Sequence, residues 1–172
     1  MTEENVASGV TNVVIAGLGG QGVLKASDIL AQVAFDEGLD VKKSEVHGMA
    51  QRGGSVTSDV RFGAEVFSPM VPAGEADFVV VMAPEEVEGS KRHLKPGGVM
   101  IVPDDVPVTS LDSPRSLNVA LLGVLSAYLP LPESTWLSAV KGSLAEKLHE
   151  ANIKAFLLGR SVGREKQASS AC

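Results

Sequence analysis

The chain has 172 residues, 44% of them hydrophobic, which suits one ordinary α/β domain with a real core and leaves no room for a second substrate domain. Its 15 basic and 21 acidic residues give a formal net charge of -6, which argues against a general nucleic-acid or membrane-surface role. The single cysteine, Cys172, excludes an internal disulfide and a cysteine set for a metal or iron-sulfur cluster.

The chain starts Met1-Thr2-Glu3-Glu4-Asn5, with no basic segment ahead of an apolar one. No stretch approaches the roughly 18 consecutive apolar residues that spanning a bilayer requires. A soluble, untargeted, cytoplasmic protein is expected. The first element is the apolar strand Val13-Val14-Ile15-Ala16, which runs into Gly17-Leu18-Gly19-Gly20-Gln21-Gly22. A strand followed by Gly-x-Gly-x-x-Gly (Gly17, Gly19, Gly22) is the fingerprint of the first strand-turn-helix unit of an open parallel sheet. Unpaired N–H groups at the start of such a helix attract an anion. Val23, Ala26, Leu30 and Val33 then recur at helical spacing over about residues 21–37, and Gly38 ends the helix.

A second strand follows over about residues 39–46. After it comes His47-Gly48-Met49-Ala50-Gln51-Arg52-Gly53-Gly54-Ser55, a polar, glycine-rich loop at the edge where open sheets bind ligands. Val56, Val60 and Phe62 alternate with Thr57, Asp59 and Arg61 as a strand with one buried face. A hairpin is expected at Gly63-Ala64, with residues 65–67 returning from it and residues 68–74 as a proline-rich connection. The buried sheet resumes at Phe78-Val79-Val80-Val81-Met82. A short helix over residues 84–94, a turn at Lys95-Pro96-Gly97-Gly98 and a strand over residues 99–102 complete a crossover unit.

Residues 103–112 read as loop. Ser113 caps a helix with Pro114 at its first position. Leu117, Leu121, Val124 and Tyr128 mark its buried face, while Leu122, Leu125 and Leu129 make it apolar on more than one side. Pro132 opens a second helix, which carries Trp136. A third runs over about residues 145–159 with Leu148, Ala151, Ala155 and Leu158 on one stripe and Ile153, Phe156 and Leu157 off it. Surface helices usually keep a polar outer side, so this excess points to contact with another chain. Residues 1–160 form one domain on this reading, and residues 161–172 are expected to be a frayed tail.

Each site candidate has a structural alternative. The glycine turn serves a ligand or serves tight packing. The acidic residue that a dinucleotide site wants about twenty residues on is Asp40 or Glu45, and neither is well placed. His47 is a proton donor, a phosphate contact or a loop hydrogen-bonding residue. Arg52 offers paired hydrogen bonds to a carboxylate or phosphate, or acts as a strut. Ser44 and Ser55 lack base and acid partners, which disfavours nucleophilic catalysis. His93 and His149 read as solvated helix surface, Asn118 and Asn152 as amides that must find partners, and Trp136 as core or interface.

Five segments together carry a family resemblance: residues 14–22 (VIAGLGGQG), 44–56 (SEVHGMAQRGGSV), 67–69 (FSP), 76–77 (AD) and 152–159 (NIKAFLLG). The chain resembles the small gamma-type subunit of 2-oxoacid:ferredoxin oxidoreductases over almost its whole length. The form of residues 47–54 is most similar to the indolepyruvate branch. The resemblance implies an α/β fold with an open, mostly parallel Rossmann-like sheet flanked by helices, a β-hairpin insertion and C-terminal helices. It also implies a part of an enzyme that is inactive alone. Such complexes decarboxylate a 2-oxoacid on thiamine diphosphate, pass electrons through iron-sulfur clusters to ferredoxin and hand the acyl group to coenzyme A. Larger partner subunits are expected to carry those cofactors, with no metal in this chain. The implied contribution here is one wall of the site: Gly17, Gly19, Gly20, Gln21 and Gly22 together with Met49, Gln51, Arg52, Gly53, Gly54 and Ser55, with His47 and Arg52 as catalytic candidates. A free-standing nucleotide-binding module and a purely structural assembly subunit are the alternatives.

Overall fold

The computed structural model describes residues 9–48 and 53–171. Its first strand, β1 (Val10–Leu18), is buried along most of its length because β-branched residues fill both faces. The chain turns through the glycines into helix α1 (Val23–Asp36) and returns as β2 (Asp40–His47) and β3 (Ser55–Gly63). Strand β4 (Ala76–Val81), helix α2 (Val87–Ser90) and strand β5 (Leu94–Ile101) follow, and then helices α3 (Leu117–Ser126), α4 (Glu133–Ser143) and α5 (His149–Ser170). The five strands make one sheet in the order β2-β3-β1-β4-β5. β1, β4 and β5 are parallel neighbours, while β3 runs antiparallel to both β1 and β2. Four strands therefore point one way and β3 alone points back.

The inserted hairpin is the antiparallel pair β2–β3. The hairpin expected at Gly63-Ala64 does not form, and residues 65–67 are not a strand. Their backbone is instead captured by carboxylates: Asp40 accepts the Val66 N–H and Asp59 accepts the Val71 N–H, each at 2.8 Å. The expected turn 95–98 lies inside β5, where the register against β4 shifts between Ala76 and Phe78.

The two faces of the sheet are covered unequally. Val13, Ile15, Val60, Phe62, Val80 and Ile101 face all the long helices in one large core. The other face buries a smaller cluster, Val14, Val71, Ala76, Val79 and Val81, where residues 64–75 and the short α2 cover it. On the helical side α3 lies beneath α5, and every residue from Asn118 to Ser126 is buried. Its apolar character all round is thus satisfied within the chain, whereas on α5 Phe156 is buried and Leu157, also off the expected stripe, stays 41% exposed.

The buried stripe of α5 is Asn152, Ala155, Phe156, Gly159 and Gly163, rotated from the expected Leu148-Ala151-Ala155-Leu158 stripe. Phe156 is fully buried against Trp136, with ring centroids 5.6 Å apart. The expected frayed tail is the last part of α5. Val162 and Gly163 pack inward, and Lys166 pairs with Asp105 at 2.9 Å. No helix among the described residues is long and apolar enough to cross a membrane.

Two expected solvated histidines are engaged. The Nε2 of His149 lies 2.8 Å from the Lys141 carbonyl and 2.9 Å from that of Leu144, so it carries the proton and closes the α4–α5 turn. His93 is half-buried; burial, then neighbouring Arg92, hold its pKa below the ordinary 6.5, against the opposing pull of Asp59. The folded chain therefore favours the neutral ring. Its contribution is complete above about pH 6.5 and is lost as pH falls through the lowered folded value. Asp59 works in the opposite sense, since burial raises its pKa and its stabilising contribution grows as pH falls. His93→Gln is expected to flatten the decline in melting temperature below about pH 6.5 relative to the unaltered chain. Identical melting-pH curves would show that this ring does not titrate with folding.

Candidate functional site

The C-terminal ends of β1, β2 and β4 meet the start of β3 along one edge of the sheet, where an open α/β sheet offers its ligand crevice. Here the glycine turn leaves β1, with Gly17 buried and Gly19, Gly20 and Gln21 exposed. Gln21 folds back so that its side-chain oxygen accepts the Leu18 N–H at 2.7 Å. The turn is thereby closed by a side chain as well as by backbone.

Two of the three fingerprint glycines are demanded by packing. A Cβ on Gly17 would sit 2.9 Å from Val23 and 3.1 Å from the Met82 Cβ. Gly22 has φ +82°, and a Cβ there would run into the side-chain amide of Asn118. That amide donates to the Gly22 carbonyl at 3.3 Å, while its oxygen accepts the Val119 N–H at 2.9 Å. The start of α3 is thus locked onto the start of α1. Gly19 is different, since its nearest neighbour to a Cβ would be 3.6 Å away.

The hairpin base lies against this turn. The Gly19 N–H donates to the Gly54 carbonyl at 2.9 Å, and the Gly48 N–H donates to Ser55 at 2.6 Å. Ser55 Oγ donates to a Glu86 carboxylate oxygen at 2.9 Å, which ties the hairpin to the exit of β4. Gly17, Gly19, Gly20, Gln21, Gly22, His47, Gly53, Gly54 and Ser55 are therefore neighbours on one edge. Met49, Gln51 and Arg52 lie outside the described residues. Asp40 and Glu45 are not brought to the turn: Asp40 sits at the opposite edge holding Val66, and Glu45 pairs with Lys43 at 3.2 Å.

Two depressions flank the turn. One of about 490 Å³ is lined by Gly20, Gln21, Gly22, Met82, Arg115 and Asn118 among others. The second, about 390 Å³, runs between Gly19, Gly20, Leu24, His47 and Val56. Among the described residues no side chain caps the start of α1, and its first turn holds no acidic residue, so its N–H groups and the helix dipole favour an anion. Arg115 adds a guanidinium at the rim. The edge can hold an anionic group; Ser55 has a carboxylate partner but no imidazole between them, so it makes no nucleophile relay.

Arg115, Met82 and Glu86 are absent from the residues expected from sequence, while Asn118, expected as an amide that must find a partner, finds it at the glycine turn. Met82 and Glu86 follow β4, the parallel neighbour of β1, so only the strand order reveals them. Arg115 follows the Ser113-Pro114 cap, but nothing in the sequence shows that this cap abuts the glycine turn.

The family model for pyruvate ferredoxin/flavodoxin oxidoreductase matches residues 12–162. Indolepyruvate oxidoreductase subunit IorB of Pyrococcus horikoshii is 46% identical over 194 residues, covering 90% of this chain and 96% of that one. Ketoisovalerate oxidoreductase subunit VorA of Methanothermobacter thermautotrophicus is 29% identical; the match covers 88% of this chain but 36% of that longer protein. The crystal structure of the keto/oxoacid ferredoxin oxidoreductase gamma subunit from Geobacter sulfurreducens superposes with a TM-score of 0.76 at 23% identity, covering 89% of this chain and 98% of that one.

Proposed function

Because the chain belongs to the pyruvate ferredoxin/flavodoxin oxidoreductase family, we propose that it is the small, cluster-free subunit of a 2-oxoacid:ferredoxin oxidoreductase. The favoured substrate is indolepyruvate or another arylpyruvate. The observation that carries this reading is the nearly full-length similarity to subunit IorB of P. horikoshii. In the complete reaction a 2-oxoacid and coenzyme A give acyl-CoA and CO2, and the two electrons released pass to ferredoxin.

Thiamine diphosphate, coenzyme A and the clusters belong to the complex, and larger subunits hold the clusters. Cluster ligation takes several thiolates, and the sequence has one cysteine, Cys172. An anionic end of thiamine diphosphate or coenzyme A fits the uncapped start of α1 better. The role of this chain is positioning: the turn from Gly19 to Gly22, the hairpin base from Gly53 to Ser55, and His47 and Arg52 form one wall of the active site. The chain is inactive by itself.

Anaerobic purification of the tagged chain from its host, followed by identification of stoichiometric partners by mass spectrometry, tests the subunit reading. A large partner with thiamine-diphosphate and cluster motifs supports it; recovery of the chain alone, with micromolar NADH binding, overturns it in favour of a nucleotide-binding module. With the complex in hand, turnover on indolepyruvate, pyruvate and 2-oxoglutarate ranks the substrates. Arg52→Ala is expected to leave assembly intact and lower turnover at least about tenfold, equivalent to about 1.4 kcal/mol. Normal turnover of the assembled variant would remove Arg52 from the active-site wall. It would favour a purely structural subunit, a reading that the packing demands at Gly17 and Gly22 already support in part.

A further inference from the structure

The face of the sheet opposite the long helices is roofed mainly by residues 64–75, and that segment is unusually well fastened. Besides the carboxylates of Asp40 and Asp59 on the N–H groups of Val66 and Val71, the Arg61 guanidinium donates to the Ser68 carbonyl at 2.8 Å. Arg61 is itself held by Asn12, whose amide donates to the Glu75 carbonyl at 3.1 Å. Val66 and Val71 point inward and are buried, and between them Phe67 is 84% exposed and Met70 59% exposed. Among the described residues, no other large apolar side chain is as exposed as Phe67. Half-buried charge is thus committed to fixing a loop whose two largest side chains are left exposed among the described residues.

A rigid loop displaying an aromatic and a thioether loses little conformational entropy on binding, which is the property of an interface anchor. We propose that Phe67 and Met70 dock this chain onto the large companion subunit, seating in an apolar socket with a basic rim. The inference rests on the subunit reading above. The basic rim follows from the charge of the loop: residues 64–75 contain Glu65 and Glu75, both exposed, and no lysine or arginine. A companion rather than a second copy is favoured because a second copy would oppose acidic loop to acidic loop. It is favoured also because in VorA the segment similar to this chain is 36% of a longer protein, so a counterpart of this domain lies in one chain with further structure.

The test is co-expression with the large thiamine-diphosphate and cluster-bearing subunit of the same host. Phe67→Ser/Met70→Ser should fold with an unchanged melting temperature, since both side chains are exposed, and recover at least tenfold less large subunit than the unaltered chain. Leu157→Ser, on the outer side of α5 and 41% exposed, should assemble normally. Glu65→Lys provides a second reading that leaves the apolar pair intact: association should slow and lose part of its salt dependence. Undiminished assembly of the double variant, or loss of assembly in Leu157→Ser instead, overturns the docking face while leaving the subunit reading in place. A dimer of this chain that the double variant dissolves, with companion binding untouched, also overturns it. Failure of the unaltered chain to bind the large subunit overturns both readings together.

Discussion

Replacing Gly159 with alanine is expected to lower the melting temperature by about 10 °C, from a destabilisation of about 3 kcal/mol. Two effects oppose one another at this position. Within an isolated helix, alanine is favoured over glycine by about 1 kcal/mol. In the folded chain, however, α5 crosses α3 so closely that a Cβ at 159 would penetrate the Ala120 carbonyl oxygen and approach the Val124 nitrogen to 3.1 Å. Both are backbone atoms of a buried helix, so no side chain can swing aside. Gly163 meets the Val124 oxygen at 2.5 Å in the same way, and Gly123 faces the Phe156 carbonyl from the other helix. Relief requires the helices to separate along a buried seam, and that loss outweighs the propensity gain. A thermal melt checks the balance, and a variant as stable as the parent would mean that the seam can open without penalty.

The same seam shows why the C-terminal third was only partly legible. Helix period, the Ser113-Pro114 start and the helix opened by Pro132 all follow from local chemistry, and the structure has them. Which stripe of α5 turns inward does not. Leu148, Ala151, Ala155 and Leu158 form a stripe on a hydrophobicity count, but close contact with α3 selects the smallest residues, so Ala155, Gly159 and Gly163 face inward and Leu148 is left exposed. The spacing of small residues at 155, 159 and 163 was the available signal. Helix α5 also continues past 160 because Val162, Gly163 and Lys166 have partners on α3, β5 and the turn after it, contacts remote in sequence.

In the first half, period-two alternation located β3, and the glycine turn located the start of α1. The misplaced hairpin has a physical cause. Gly63 is a strand terminus pressed against Gly9, where a Cβ would be 2.6 Å from the Gly9 oxygen, so it marks a close backbone approach and not a reversal. The reversal lies between β2 and β3, at the polar loop that the sequence places after the second strand, at the ligand-binding edge of the sheet. Much of the candidate site was legible as residue types at a sheet edge. Its neighbours across that edge, Met82, Glu86, Arg115 and Asn118, required the strand order and the docking of α3.

Gly22 allows packing and ligand approach to be separated in one experiment. Gly22→Ala is expected to destabilise the chain by about 2 kcal/mol, combining the penalty of a left-handed backbone for an L residue with the displacement of Asn118 from its hydrogen bond. Asn118→Ala removes the obstructing amide. In the double variant the backbone penalty remains but the clash is gone, so the two losses should fall short of additive by about 1 kcal/mol. Strict additivity in denaturant melts would show that Asn118 moves aside freely and that packing does not dictate the glycine. Turnover of the assembled complex supplies the other half of the answer. If the shortfall from additivity appears and turnover of the double variant matches that of Asn118→Ala, the glycine at 22 serves the contact between α1 and α3. If the shortfall appears while turnover stays as low as in Gly22→Ala, the added methyl obstructs a ligand at the start of α1, and the anion-holding reading of this edge gains its direct support.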